Sequence, residues 1–311
     1  MKAEAGRHKT GLTPVHLFSH GSPLMIYETT ECSKYWRKCG DEARAHNVKG
    51  IVMLVRIPQT PRIHPVLYTT HIGEGDGIEV ATNPAPQICP MGIVPSNDYK
   101  TYKMTSDLAT AQQCIDLLQA EGFNVSGNPQ YNWIVDVYTI IQKMFPEGNP
   151  PPVTVVSSNA RYDPHYHLKI GKTLRQLRKE NYLLIGTGGS VHNLYRNRWG
   201  SMVKYRDSLA QEIPPEEWAL EFKQSLEDVM TKTSGLQLQR AVTRLMKHPQ
   251  FRDAHGTDDH FVPAAFVAGA AGDAEDEGCH GVLGAETWEL SNMANLQFTF
   301  GKWPKQPLVA A

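Results

Sequence analysis

The 311-residue sequence carries no excess of charge of either sign: 31 Lys and Arg stand against 32 Asp and Glu, a formal net charge of −1. A protein that neutralises many phosphates needs a basic face, so no nucleic-acid partner is expected. No apolar run approaches the roughly 20 residues of a bilayer-spanning helix, which argues against a membrane role. The opening residues, MKAEAGRHKTG, are polar and lack the apolar stretch of a secretory signal, so a cytoplasmic protein is expected. Cysteine is scarce. Cys32, Cys39, Cys89, Cys114 and Cys279 are odd in number and scattered, with no CxxC pair. That argues against a disulfide framework and a structural zinc knot, and leaves the thiols as small buried apolar groups. The sequon Asn124-Val125-Ser126 is idle without secretion. There is no internal repeat and no low-complexity tract. Gly186–Ser190 is glycine-rich but fits neither the dinucleotide nor the P-loop fingerprint, so no nucleotide cofactor is expected.

What is present is a core and an excess of histidine. Hydrophobic residues make up 41% and charged residues 20%, a globular balance, and there are 13 histidines. Histidine is the commonest metal ligand and the usual acid or base near neutral pH. Short apolar runs alternate with helical patterns, which predicts an α/β fold. A central, mainly parallel sheet is flanked by helices in one domain with no obvious linker. Strands are expected at Val15–Ser19, Gly50–Arg56, Pro152–Ser158 and Tyr182–Gly186. A hairpin is expected from Val66–Ile72 and Ile78–Thr82, and a long surface loop over 83–104. Helices are expected from Thr30 to His46, at Ser106–Glu121 with Ser106 as cap, at Asn132–Phe145, and from Asp163-Pro164 onward. The last third reads as helices Glu216–Met230, Gln237–Met246 and Asp258–Ala271, then a strand Leu296–Phe300 at the sheet edge.

Three histidines share a position in this pattern. His20 follows the first strand in Phe18-Ser19-His20-Gly21-Ser22-Pro23. His192 follows the YLLIG strand in GTGGSVHNL, and His260 opens a helix in Thr257-Asp258-Asp259-His260-Phe261. In parallel α/β sheets ligands bind outside the carboxyl ends of the strands. Each histidine alone also reads as a hydrogen-bonded structural residue; three together point to a site. His165 and His167 do not share a helical face, so that pair is not a metal site. His280 reads as a loop residue.

These motifs, with DHFVPAAFVAGAAGD and DPHYHLKIGKTLRQLRKENYLLIGTGGSVHNL, resemble class III extradiol ring-cleavage dioxygenases of the LigB superfamily, in the DOPA-dioxygenase-like branch. The likeness implies the LigB-like fold over 14–301, with tails at 1–13 and 302–311. It implies a metal site at the carboxyl edge of the sheet, bound mainly by histidine, with Fe(II) in active enzymes and zinc often in its place. On motif position His20, His192 and His260 are the matching metal residues. Two positions depart. Ile57 stands where the family has a further metal histidine, and Val135 where it has its acid/base histidine. An aliphatic side chain binds no metal, and loss of a positioned acid/base group costs about 10²–10⁴-fold in rate.

Other residues offer replacements. Arg56 ends a buried strand and can supply positive charge to an enolate or carboxylate, or form a surface ion pair. His64 and His71 are candidate substitute ligands, against the plainer reading as solvated loop histidines. Asp136 is a carboxyl in an apolar helix, one residue after Val135: a proton carrier, or a first-turn residue favoured by the helix dipole. Asp258 and Asp259 read as capping residues, or one of them orients His260.

The leading expectation is an enzyme on this scaffold acting on a phenolic, quinoid or polyketide-type small molecule without oxidation: proton transfer, cyclisation, isomerisation or carbon–carbon lysis. Its catalytic candidates are His20, His192, Asp136 and Arg56, with Ser22, Asn193 and His260 binding substrate. The cofactor is then none, or a residual divalent iron or zinc on His20, His192 and His260. The alternatives are an active ring-cleavage dioxygenase with a rearranged metal site, and a non-catalytic ligand-binding or partner subunit. A homo-oligomer is compatible with each.

Overall fold

A computed structural model describes residues 12–55, 77–91, 94, 95, 97 and 99–303. Eight strands form one sheet: β1 Val15–Ser19, β2 Gly50–Val55, β3 Ile78–Ala81, β4 Val125–Asn128, β5 Val153–Ser157, β6 Tyr182–Gly188, β7 Gly281–Glu289 and β8 Met293–Phe300. Their order is β4-β3-β5-β2-β6-β1-β8-β7. The central four, β5-β2-β6-β1, are parallel. β3 runs antiparallel to β5 and parallel to β4. β8 is added antiparallel to β1, and β7 antiparallel to β8. The sheet is therefore mixed, with the expected parallel arrangement at its centre.

Both faces of the centre are covered, which is why β2 reads as an unbroken apolar run and β1, β2 and β5 are buried throughout. The side chains of β2 still alternate. Val52 and Leu54 enter one core with α2 Leu108–Ala120, α4 Pro164–Leu174 and α9 Val262–Ala271. Ile51, Met53 and Val55 enter the other with α1 Glu31–Ala45 and α3 Val135–Met144. All ten residues of α9 are buried. It lies tight on α4 because Gly171 and Gly269 have no Cβ: one at either position would overlap the backbone oxygen of Phe266 or Leu168.

Several boundaries follow local chemistry that the periodicity did not reveal. α1 keeps Thr30 as its cap, in a reciprocal box with Ser33. α4 opens on Asp163-Pro164 as expected. The cap of α2 is Asp107, which accepts from Thr110 N at 2.9 Å; Ser106 instead pairs with Val153 as a short extension of the sheet. α3 starts at Val135, because Trp133 is held in a bridge to Ile88. Residues 258–261 form a turn, and α9 begins after them. The final strand is not an edge: β8 lies between β1 and β7. Further helices are α5 Trp199–Tyr205, α6 Glu217–Lys232, α7 Gly235–Leu245 and α8 Phe251–Ala254. Among the described residues no helix is long and apolar enough to cross a membrane. Arg56, Ile57, His64, His71 and the expected strand Val66–Ile72 lie outside the described residues.

Candidate functional site

β1 and β6 are neighbours with Ser19 opposite Gly188, so the chain leaves both strands at one height on the carboxyl edge. His20 is the next residue after β1, and its N–H donates to Gly188 O at 3.1 Å. The loop after β6 carries His192, whose N–H donates to Ala254 O at 2.8 Å. His260 is hitched to the same strand end: its carbonyl accepts Gly189 N at 3.0 Å. Gly188 is required there, since a Cβ would overlap that carbonyl oxygen. From the other face, the first turn of α3 brings Asp136.

The four side chains converge and are nearly buried: His20 5%, His192 8% and Asp136 8% exposed. Nε2 of His20 lies 3.6 Å from Oδ1 of Asp136. The His20 and His260 ring centroids are 5.2 Å apart, and His192 stacks on His260 at 3.9 Å and 12°. One ligating atom each from His20, Asp136 and His260 fall within 4.8 Å of one another.

The ring tautomers follow from the partners. Thr187 Oγ donates to the Asp136 carbonyl at 3.3 Å and lies 3.1 Å from His20 Nδ1. With its proton given away, that hydroxyl accepts from Nδ1–H, which leaves the lone pair on Nε2, toward Asp136. His260 Nδ1 lies 3.1 Å from Asp259 Oδ2, and Thr257 Oγ donates to the other Asp259 oxygen. Asp259 is thus the residue that orients His260, whereas Asp258 pairs with Arg252. Burial first, then the neighbouring His260, His20 and His255, push the His192 pKa well below its usual value, so that ring is neutral. Its buried Nδ1 has no hydrogen-bond partner among the described residues.

Two imidazoles and a carboxylate are the donor set of non-haem iron(II) centres and of open zinc centres. Lone pairs on His20 Nε2 and Asp136 facing each other favour a cation between them. The residues present therefore fit a divalent iron or zinc, with Asp136 in the set and His192 beside it.

The other sequence candidates are placed differently. Ser22, expected to bind substrate, is buried, and its hydroxyl donates to Glu289 Oε1 at 2.6 Å. Asn193, also expected to bind substrate, donates to Asp253 O at 2.8 Å and accepts from Tyr195 N at 3.1 Å, so its amide fastens the loop. Val135 packs half-buried against the second core, and the residue after it supplies the polar group. His255 was not singled out from sequence. It is wholly buried, its pKa is lowered to about 3 by burial, and its Nε2–H donates to Ser190 O at 3.2 Å. Glu289 was missed as well: a strand residue whose partners Ser22 and Ser208 are far away in sequence, with only Asn295 near it across the hairpin, gives little local signal.

The likeness to known proteins runs along most of the chain. It is 25% identical over 261 residues to the 4,5-DOPA dioxygenase extradiol of Escherichia coli K12, covering 83% of this chain and 84% of that protein. It is 28% identical over 279 residues to dioxygenase tasH of Hapsidospora irregularis, covering 86% and 81%. The crystal structure of an uncharacterized Escherichia coli K12 protein superposes with a TM-score of 0.68 over 93% of this chain and 99% of that one. At 18% identity that match speaks for the fold alone. The pattern of the catalytic LigB subunit of aromatic ring-opening dioxygenases matches residues 14–300, and the chain belongs to that family.

Proposed function

We propose that the protein is a metal-dependent dioxygenase of catechol-type small molecules whose metal site has been rearranged around Asp136. The observation that carries this reading is the gathering of His20, Asp136 and His260 ligand atoms within 4.8 Å of one another. Non-oxidative chemistry was the first expectation, because histidines are missing at Ile57 and Val135. The Asp136 carboxylate meets half of that objection by offering a donor next to Val135. Relatives named for 4,5-DOPA support a catechol as the substrate class.

His20, Asp136 and His260 would hold the metal. Bound there, divalent iron would supply the Lewis acidity and redox chemistry that catechol oxygenation needs. His192, with its neutral ring stacked on His260, takes the proton-moving part beside the metal residues. Asp259 and Thr187 hold His260 and His20 in the tautomers that point their lone pairs inward.

The test is anaerobic reconstitution with ferrous iron, followed by oxygen uptake with a panel of catechols. Stoichiometric iron, matched oxygen consumption and ring-opened product are expected, with Asp136→Ala losing all three. Oxygen-independent turnover of the same substrates by the iron-loaded protein would overturn this reading and return the non-oxidative one. That second reading keeps its own support, Val135 at the position of the family's acid/base histidine.

A further inference from the structure

At the end of β7 the Glu289 side chain is fully buried, and its carboxylate is a hub for the turn that follows His20. Both hydrogen-bond donors of Ser22 end on it: N–H to Oε2 at 2.9 Å and Oγ–H to Oε1 at 2.6 Å. Asn295 Nδ2 donates to Oε2 at 2.6 Å, and Ser208 Oγ lies 3.2 Å from Oε1. Between His20 and Ser22 the chain turns at Gly21 with φ +66°, pressed so close that a Cβ would overlap Oε2 and come within 2.8 Å of Asn295 Nδ2. Upstream, His20 is fixed by its N–H to Gly188 O and its ring to Thr187. Downstream, the hub holds the backbone.

We propose that Glu289 is a positioning residue for His20, clamping the Gly21-Ser22 turn so that the imidazole keeps its place opposite Asp136. The inference rests on the reading of His20 as a site ligand. It makes a chemical demand that a mere space-filling role would not. Oε2 accepts two N–H groups and must be an acceptor. Oε1 faces two hydroxyls, which can rotate to accept instead. Glutamine, with its carbonyl in the place of Oε2 and its amide in the place of Oε1, therefore preserves all four contacts. It also frees the Ser208 proton for Glu28, the second carboxylate that hydroxyl touches. Alanine removes the acceptor and leaves Ser22 N–H and Asn295 buried without it.

Two measurements on the full chain test this: zinc affinity by competition with a chromophoric chelator, and the ring ¹⁵N resonances of His20 in metal-free protein with labelled histidine. Glu289→Gln is expected to bind zinc within about 3-fold of wild type and to keep one sharp set of His20 resonances. Glu289→Ala is expected to lose about 10–100-fold in affinity, the range for residues that orient ligands, and to show broadened or multiple His20 resonances. If Glu289→Ala does not fold, Ser22→Ala carries the test, with a smaller loss of about 3–10-fold and the same broadening expected. Unchanged His20 resonances in Glu289→Ala, or in Ser22→Ala where that stands in, would overturn the proposal, as would a glutamine variant as impaired as alanine. His20→Ala with wild-type zinc affinity would instead overturn the metal reading, and the metal-free resonances would still decide the role of Glu289.

Discussion

Acidification should unfold the protein steeply: three wholly buried histidines away from the metal residues set most of the slope, and the neutral His192 adds to it in the same sense. Burial holds His16 at about 3, His167 at about 4 and His255 at about 3, each down from 6.5. In the unfolded chain each takes up a proton near pH 6.5; in the fold each stays neutral to a far lower pH. A depressed histidine pKa gives stability that is complete above about 6.5 and is lost as pH falls toward 3–4. Through that window unfolding takes up one proton per histidine, so three contribute about 4 kcal/mol per pH unit. Domains are stable by roughly 5–15 kcal/mol, so this contribution reaches the whole stability by about pH 3–5. Glu28 and Glu289, raised chiefly by burial, act in the opposite sense above the usual carboxylate range and reduce the net slope. Urea denaturation at half-unit pH steps and constant ionic strength should therefore report an uptake of about one to three protons between pH 6 and 5. His16→Leu should lower that number by about one, since His16 contacts Thr299 and Phe18, away from the site. Stability that stays flat from pH 7 to 5 would refute the reasoning.

Other expectations are simpler. Gly188→Ala drives a methyl into the His260 carbonyl, and a displacement near 1 Å at a site costs on the order of 10²-fold in turnover, read in steady-state kinetics. Asp259→Ala leaves the His260 ring without its acceptor; metal affinity should fall about 10–100-fold with little change in the thermal midpoint. Gly269→Ala overpacks α9 on α4 and should cost about 1–3 kcal/mol in urea denaturation, with metal affinity of the folded fraction unchanged.

How much of this could be read in advance follows from where the information lies. β1, α1 and β2 were placed to within a residue because continuous apolar runs and a Thr30 cap are local signals. β7 was not, because only three of its nine residues are buried and GVLGAETWE alternates imperfectly around a bulge. β4, the four residues VSGN, carries almost no strand signal at all. His20, His192 and His260 were legible because strand ends are where α/β sheets keep their ligands. Asp136 was legible as an odd charge in an apolar helix, but its partner His20 is supplied only by the fold. The partners of Ser22 and Asn193 were not legible: closeness in sequence to a site histidine fixes position and says nothing of where a hydroxyl or amide points. The choice between Asp258 and Asp259 needed the turn before α9, which places one on Arg252 and the other on His260.

The strand order also dictates when the site can exist. β1 finds its neighbours only in β6 and β8, and the converging side chains come from residues 20, 136, 192 and 260. Such long-range closure is slow, because the loop entropy is lost before any contact rewards it. During synthesis β1 must wait for its first neighbour until β6 has been made, past the middle of the domain, and for its second until β8 at the end. Ligand capture should then coincide with the last phase of refolding, and a chain cut between β5 and β6 should recover it only when both pieces are present together.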